Sequence, residues 1–215
     1  MNVHPAAEPS WNGLAESRPT LDSRAYFGAE EYARDLRDIW YRNWVHVCRS
    51  SELAEPRDFR LFRLGDQEIL LLRGEDGDLR AFHNTCRHRG SALRTEDSGR
   101  LKSRLIVCPY HAWSYSLDGD LVRVPSKSCP AGFEKADHPL YRVAVAEWRG
   151  FVFVNLGAEP GASMDGSFDV DPGVLADWPL EAMTSAHVFR KTMNCNWKIF
   201  WENYNECLHC PGVHP

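Results

Sequence analysis

The sequence predicts an α+β chain in which a small antiparallel β domain is the one complete unit, with a helix ahead of it and the opening of a second domain behind. Three observations predict this. Short β-prone runs punctuated by turn residues fill residues 44–157, apolar residues spaced three and four apart precede them, and a Gly-, Ser-, Asp- and Pro-rich stretch from Gly157 to Pro172 follows. At about 100–200 residues per domain, a chain of 215 residues holds one full core and part of another. The predicted division is an arm and helix over 1–43, the β domain over 44–157, and a linker with an incomplete second domain over 158–215.

From the N-terminus, Met1–Thr20 carries three prolines among small and polar residues without a hydrophobic period and reads as an arm. Between Gly28 and Asn43, the residues Tyr32, Leu36, Ile39 and Trp40 recur at helical spacing, with Glu30 and Glu31 near the start. The spacing predicts an amphipathic helix packed on the β domain. Strands are predicted at Phe59–Leu64, Glu68–Leu72, Leu79–Phe82, Leu105–Cys108, Trp113–Ser116, Tyr141–Val145 and Phe151–Asn155. Turns fall at Gly74-Glu75-Asp76-Gly77, Asp97-Ser98-Gly99 and Asp118-Gly119. Thr192–Cys210 has the composition of a helix stopped by Pro211-Gly212, and the chain ends soon after, which predicts a truncated second domain.

Charge and hydropathy narrow the function classes. With 25 basic against 30 acidic side chains the formal charge is −5, which argues against a general nucleic-acid binder. The longest apolar runs, such as Ile69–Leu72, fall far short of the ~18 residues of a membrane span, and Met1 opens no secretory or transit signal. A cytoplasmic protein is the expectation. Seven cysteines in such a chain point to ligands or buried thiols rather than a disulfide framework.

Two groups of residues carry chemistry. Cys86-Arg87-His88-Arg89-Gly90 and Cys108-Pro109-Tyr110-His111 give C-x-H, nineteen intervening residues, then C-x-x-H. Each half offers one thiol and one imidazole from a turn after a predicted strand. A Cys2His2 zinc site is one outcome, but its usual order is both cysteines first. The interleaved order suits a [2Fe–2S] cluster with two cysteines on one iron and two histidines on the other.

Asn84-Thr85-Cys86-Arg87-His88-Arg89-Gly90 and Cys108-Pro109-Tyr110-His111-Ala112-Trp113 resemble the Rieske domain of the ring-hydroxylating, or Rieske non-haem iron, oxygenases. The resemblance implies that Cys86 and Cys108 hold one iron and His88 and His111 the other. It separates the chain from the respiratory Rieske branch, whose two bridging cysteines are replaced here by Ser91 and Tyr110, and whose Gly-Ser pair is replaced by Ala112-Trp113. With fewer donors to the cluster, a reduction potential near the low end of roughly −150 to +300 mV is expected.

The second group lies between Asn196 and Pro215. On an ideal helix Glu202, Glu206 and His209 fall within about 60° of one another, and Pro211-Gly212 can turn His214 back toward them. Two histidines and a carboxylate make the facial triad of non-haem Fe(II) enzymes. The resemblance implies His209 and His214 as ligands of a mononuclear Fe(II), with an aspartate beyond Pro215 as the third. It implies that Glu206 bridges this iron to the cluster of a neighbouring subunit, where most of the family carries aspartate. Glu206 in the setting Glu206-Cys207-Leu208-His209-Cys210-Pro211 is similar to the branch acting on carnitine, glycine betaine or choline. Cys207 and Cys210 read as buried thiols, since Cys207 points about 160° from His209 on a helix; Cys48, Cys129 and Cys195 read as core residues.

The resemblance implies a fold: an all-antiparallel Rieske [2Fe–2S] domain and the start of a helix-grip (START-like) catalytic domain. It also implies a terminal oxygenase component. An NAD(P)H-dependent flavin/iron–sulfur reductase would supply electrons, O2 and a small organic substrate, favoured as a quaternary ammonium compound, would react, and the intact protein would be a homotrimer. The fragment alone is expected to be inactive. Alternatives are an aromatic-ring oxygenase and a Rieske ferredoxin-like carrier.

Overall fold

The computed structural model describes residues 19–125, 129–167 and 172–206. They fall into two compact units, one of residues 35–190 and one drawn from 1–34 and 191–215. In chain order the elements are α1 (Arg24–Phe27), α2 (Ala29–Asp35), a π-helical turn (Leu36–Trp40), β1 (Val45–Arg49), β2 (Asp58–Leu64), β3 (Gln67–Arg73), β4 (Leu79–His83), β5 (Ser98–Arg100), β6 (Leu105–Val107), β7 (Ser114–Ser116), β8 (Leu121–Arg123), β9 (Arg142–Trp148), β10 (Phe151–Asn155) and α3 (Trp197–Tyr204).

Among the described residues the larger unit holds two antiparallel sheets, with strand orders β1-β10-β9-β4-β3-β2-β5 and β6-β7-β8. The register of β2 on β3 sets Phe59 opposite Leu72 and Leu61 opposite Leu70. These four share one face with Phe82, and the smaller sheet packs there through Ile106, Tyr115 and Leu121. The opposite face of β3 carries Ile69 and Leu71, which meet Cys48, Val143, Val152 and Val154. The apolar run Ile69–Leu72 is therefore covered on both sides, as an unalternating strand requires. Each such side chain contributes roughly 1.5–3 kcal/mol of hydrophobic stabilisation. Cys86, Cys108 and Trp113 belong to the first of these clusters, so the chemistry-bearing turns are rooted in the core.

Several details depart from the sequence expectation. The helix expected over 28–43 is α2 followed by the wider π-turn, and Tyr32 and Ile39 stay exposed because the change of pitch breaks the apolar stripe. The turn expected at Asp97-Ser98-Gly99 contains β5, where Gly99 sits opposite Phe59; a Cβ there would lie 3.2 Å from the Phe59 ring, so a small residue lets the strand close over it. Strands β1 and β8 were not anticipated; β1 is fixed by pairing Val45 with Val154 and Cys48 with Val152. Cys48 is buried as expected, while Cys129 and Cys195 are exposed.

In the smaller unit, the expected helix over 192–210 is realised in its described part as α3 alone. Asn196 starts it, its side chain accepting from the Lys198 N–H at 3.0 Å, and Asn205 caps its end. The segment 24–27 is tied to it. Asn196 Nδ2 donates to the Tyr26 carbonyl at 3.2 Å, Lys198 Nζ donates to the Ala25 carbonyl at 3.0 Å, and the Tyr26 hydroxyl donates to Glu202 Oε1 at 2.5 Å. Among the described residues no helix is long and apolar enough to cross a membrane.

Candidate metal centre

The structure brings Cys86, His88, Cys108 and His111 together on two turns of matching design. In each, the cysteine N–H donates to the carbonyl five residues on, Cys86 to Ser91 and Cys108 to Trp113, both at 2.8 Å. The cysteine carbonyl accepts from the N–H four residues on, from Gly90 at 3.0 Å and Ala112 at 3.1 Å. That closure needs a left-handed residue at the fourth position, and Gly90 and Ala112 have φ of 71° and 55°. Gly90 takes this conformation without strain, whereas Ala112 carries a Cβ into it.

The donors pair by chemistry and by depth. Cys86 and Cys108 are each 2 % exposed, while His88 and His111 lie at the surface with ring centroids 4.8 Å apart. A buried thiol pair beside an exposed imidazole pair fits a two-iron cluster with a sulfur-bound end and a nitrogen-bound end.

Two neighbours shape this centre: Tyr115, which the sequence motifs do not include, and Trp113, which the sequence shows only as the end of the second motif. The Tyr115 hydroxyl, fully buried, accepts from the Arg87 N–H at 3.1 Å and lies 3.3 Å from Cys86 Sγ. Once the sulfur is a thiolate it has no proton to give, so the hydroxyl donates to it. Burial raises the pKa of this phenol, keeping it a donor, and the Cys86 sulfur beside it raises it further. Its signal in the sequence is an aromatic residue with a polar tip at an inward position of β7. The second neighbour is Trp113, whose indole stacks on the His88 ring at 4.8 Å and 9°, with Phe133 and His138 edge-on behind it.

Burial also pushes the Cys86 thiol above its ordinary value, against hydrogen bonds from Tyr115 and from the His88 backbone. A metal ion bound at this sulfur would have to displace its proton. Arg87 is committed to the protein, its guanidinium 4.0 Å over the Tyr141 ring and donating to the Asp137 carbonyl, while Arg89 is exposed.

The second predicted group is only partly described. Glu202 lies on α3 and accepts from Tyr26, whereas Glu206 lies beyond the helix end and is half-buried. The ideal-helix argument that aligned Glu202 with Glu206 therefore stops at Tyr204. Cys207, His209, Cys210 and His214 lie outside the described residues.

A family model for the Rieske [2Fe-2S] domain matches residues 43–146, and one for the ring hydroxylating alpha subunit (catalytic domain) matches residues 175–215. The chain is 36% identical over 196 residues to the glycine betaine monooxygenase oxygenase subunit of Chromohalobacter salexigens, covering 91% of this chain and 43% of that protein. It is 35% identical over 202 residues to the carnitine monooxygenase oxygenase subunit of Escherichia coli (strain K12), covering 91% and 52%. A crystal structure of the quaternary ammonium Rieske monooxygenase CntA with γ-butyrobetaine superposes with a TM-score of 0.80 at 32% identity, covering 89% of this chain and 55% of that one. The chain thus spans about half the length of the curated relatives it matches.

Proposed function

The chain belongs to the α-subunit family of Rieske non-haem iron oxygenases, and from that membership we propose that it is the cluster-bearing half of a monooxygenase acting on a quaternary ammonium compound. The cofactors are a [2Fe–2S] cluster and a mononuclear iron. When bound, the cluster supplies electrons singly and the mononuclear iron activates O2 for insertion into the substrate.

In this reading the residues divide the work. Cys86 and Cys108, buried in the core, would hold one iron of the cluster through thiolates, and His88 and His111, at the surface, would hold the other through ring nitrogens. Tyr115 donates to Cys86 Sγ, and Trp113 fixes the plane of the His88 ring. The proposed division assigns 44–157 to the cluster domain, with 1–43 ahead of it and 158–215 leading into the catalytic domain. There His209 and His214 would hold the mononuclear iron, and the Glu206 carboxylate would accept hydrogen bonds from a ligand histidine on each side of a subunit boundary. A homotrimer supplies that boundary, and a cytoplasmic NAD(P)H-dependent flavin/iron–sulfur reductase supplies electrons.

The observation that carries the reading is the paired, depth-ordered donor set on two matching turns. Its test is anaerobic reconstitution with iron and sulfide, followed by electron resonance of the reduced protein. A rhombic signal from a mixed sulfur- and nitrogen-bound cluster is expected, and it should vanish in Cys108→Ser. Protein that takes up no acid-labile sulfide overturns the assignment. For the substrate, NADH oxidation by the oxygenase with a reductase should respond to trimethylammonium compounds and not to neutral tert-butyl isosteres; equal response to both defeats the quaternary ammonium reading.

A further inference from the structure

The two turns of the metal centre are held by different means. The second rides on the β6–β7 hairpin, where Val107 pairs with Ser114 on either side of Cys108 and His111. The first lies in residues 84–97, between β4 and β5, where the backbone forms no strand or helix. A stretch of that length without a ladder needs another restraint.

Beside the Tyr115 hydroxyl, which accepts from the Arg87 N–H, one side chain supplies several bonds at once. Asn84 is 3 % exposed, and its Oδ1 accepts from the backbone N–H groups of Leu93 and Arg94, each at 3.0 Å. Its Nδ2 donates to the Arg94 carbonyl at 2.8 Å and to Glu68 Oε2 at 2.5 Å. Its own N–H donates to the Glu68 carbonyl at 2.8 Å. Both amide protons and both oxygen lone pairs are used. Residues 84–94 are thereby closed into a ring that carries Cys86 and His88, and the ring is pinned to β3 through Glu68. The other Glu68 oxygen accepts from Arg63 Nε at 2.7 Å, which holds the carboxylate in place.

We infer that Asn84 is the positioning residue of the loop-borne half of the metal centre: it acts as a side-chain rung that fixes Cys86 and His88, while the hairpin ladder fixes Cys108 and His111. The inference rests on the ligand roles proposed above. No other side chain of this size replaces the carboxamide. Aspartate keeps the acceptor but loses both donors and sets a second carboxylate against Glu68. Alanine leaves the Leu93 and Arg94 N–H groups buried without partners.

The test uses the full chain loaded anaerobically with its cluster. Asn84→Asp should load with shifted g-values and a shifted reduction potential, and should lose iron to a chelator about tenfold faster than the parent protein. Adding Glu68→Gln, whose amide can donate to the new carboxylate, should recover part of the loss. Parent values of g, potential and release rate in Asn84→Asp overturn the inference. Should that variant not accumulate, amide exchange in the parent protein decides: the Leu93 and Arg94 amides should be protected as well as that of Cys108, which donates to the Trp113 carbonyl, and exchange at the rate of open loop amides removes the rung. A parent protein that loads no cluster counts instead against the ligand assignment.

Discussion

At the residue scale, if Cys86 holds iron as proposed, its contact with the Tyr115 hydroxyl bears on how readily the centre accepts an electron. A hydroxyl donating to a ligand sulfur is better satisfied after reduction, when the cluster carries more negative charge. Tyr115→Phe keeps the ring in the core and removes the donor, so the potential should fall. A bond contributing about 1 kcal/mol corresponds to about 40 mV for one electron, and protein-film voltammetry measures it. Counting donors from Ala112-Trp113 alone therefore underestimates the stabilisation of the reduced state, because Tyr115 lies 29 residues from the sulfur it serves. Ala112 leads to a second expectation. At φ 55° its Cβ strains a turn that Gly90 makes freely, and Ala112→Gly should raise stability by up to about 1 kcal/mol, seen as a higher thermal midpoint with the cluster spectrum unchanged.

At the element scale, α3 depends on its first residue. Asn196 caps the Lys198 N–H and also donates to Tyr26, so Asn196→Ala should cost about 1 kcal/mol and speed amide exchange through 197–204. The β3–β4 turn carries a pH-dependent restraint. Arg80 donates to Asp76 through two nitrogens and to Asp118, and the Arg80 hydrogen bond holds the Asp76 carboxyl down to about 2. A depressed carboxylate contributes above its unfolded value near 3.8 and loses that contribution as pH falls toward about 2. Asp76→Asn should therefore lower the thermal midpoint at neutral pH, with the deficit closing as pH falls through about 2; a deficit that does not change with pH assigns the effect to packing instead. The exposure of Asp76 keeps the effect small.

These elements also show what the sequence makes legible. Strands β2, β3, β4 and β10 are readable because their apolar runs are long and bounded by turn residues. The three-residue β5 and β8 are not, since pairing with neighbours overrides their weak propensity. The metal motif is readable because each thiol and imidazole lie within four residues. Asn84 and Tyr115 stand beside it in plain view, but their partners are chosen by the packing of a loop and a sheet, which no local pattern encodes.

At the scale of the whole molecule, the proposed cluster ligands fall in the unit of residues 35–190, and Glu206, the proposed bridge, in the other. If Glu206 spans a subunit boundary, Glu206→Asp in the assembled oxygenase should slow reduction of the mononuclear iron by roughly 10–100-fold while leaving the cluster spectrum intact. Rapid-freeze electron resonance in a single turnover reads both, and an unchanged rate removes the bridge.

The burial of both sulfurs beneath two surface imidazoles bears on the life of the protein before its metal arrives. A bulky oxidant such as glutathione disulfide meets nitrogen before sulfur, and Cys86 resists forming the reactive thiolate. Burial thereby slows mixed-disulfide formation at these two positions, a lesion that would block a cluster ligand until thiol exchange removed it.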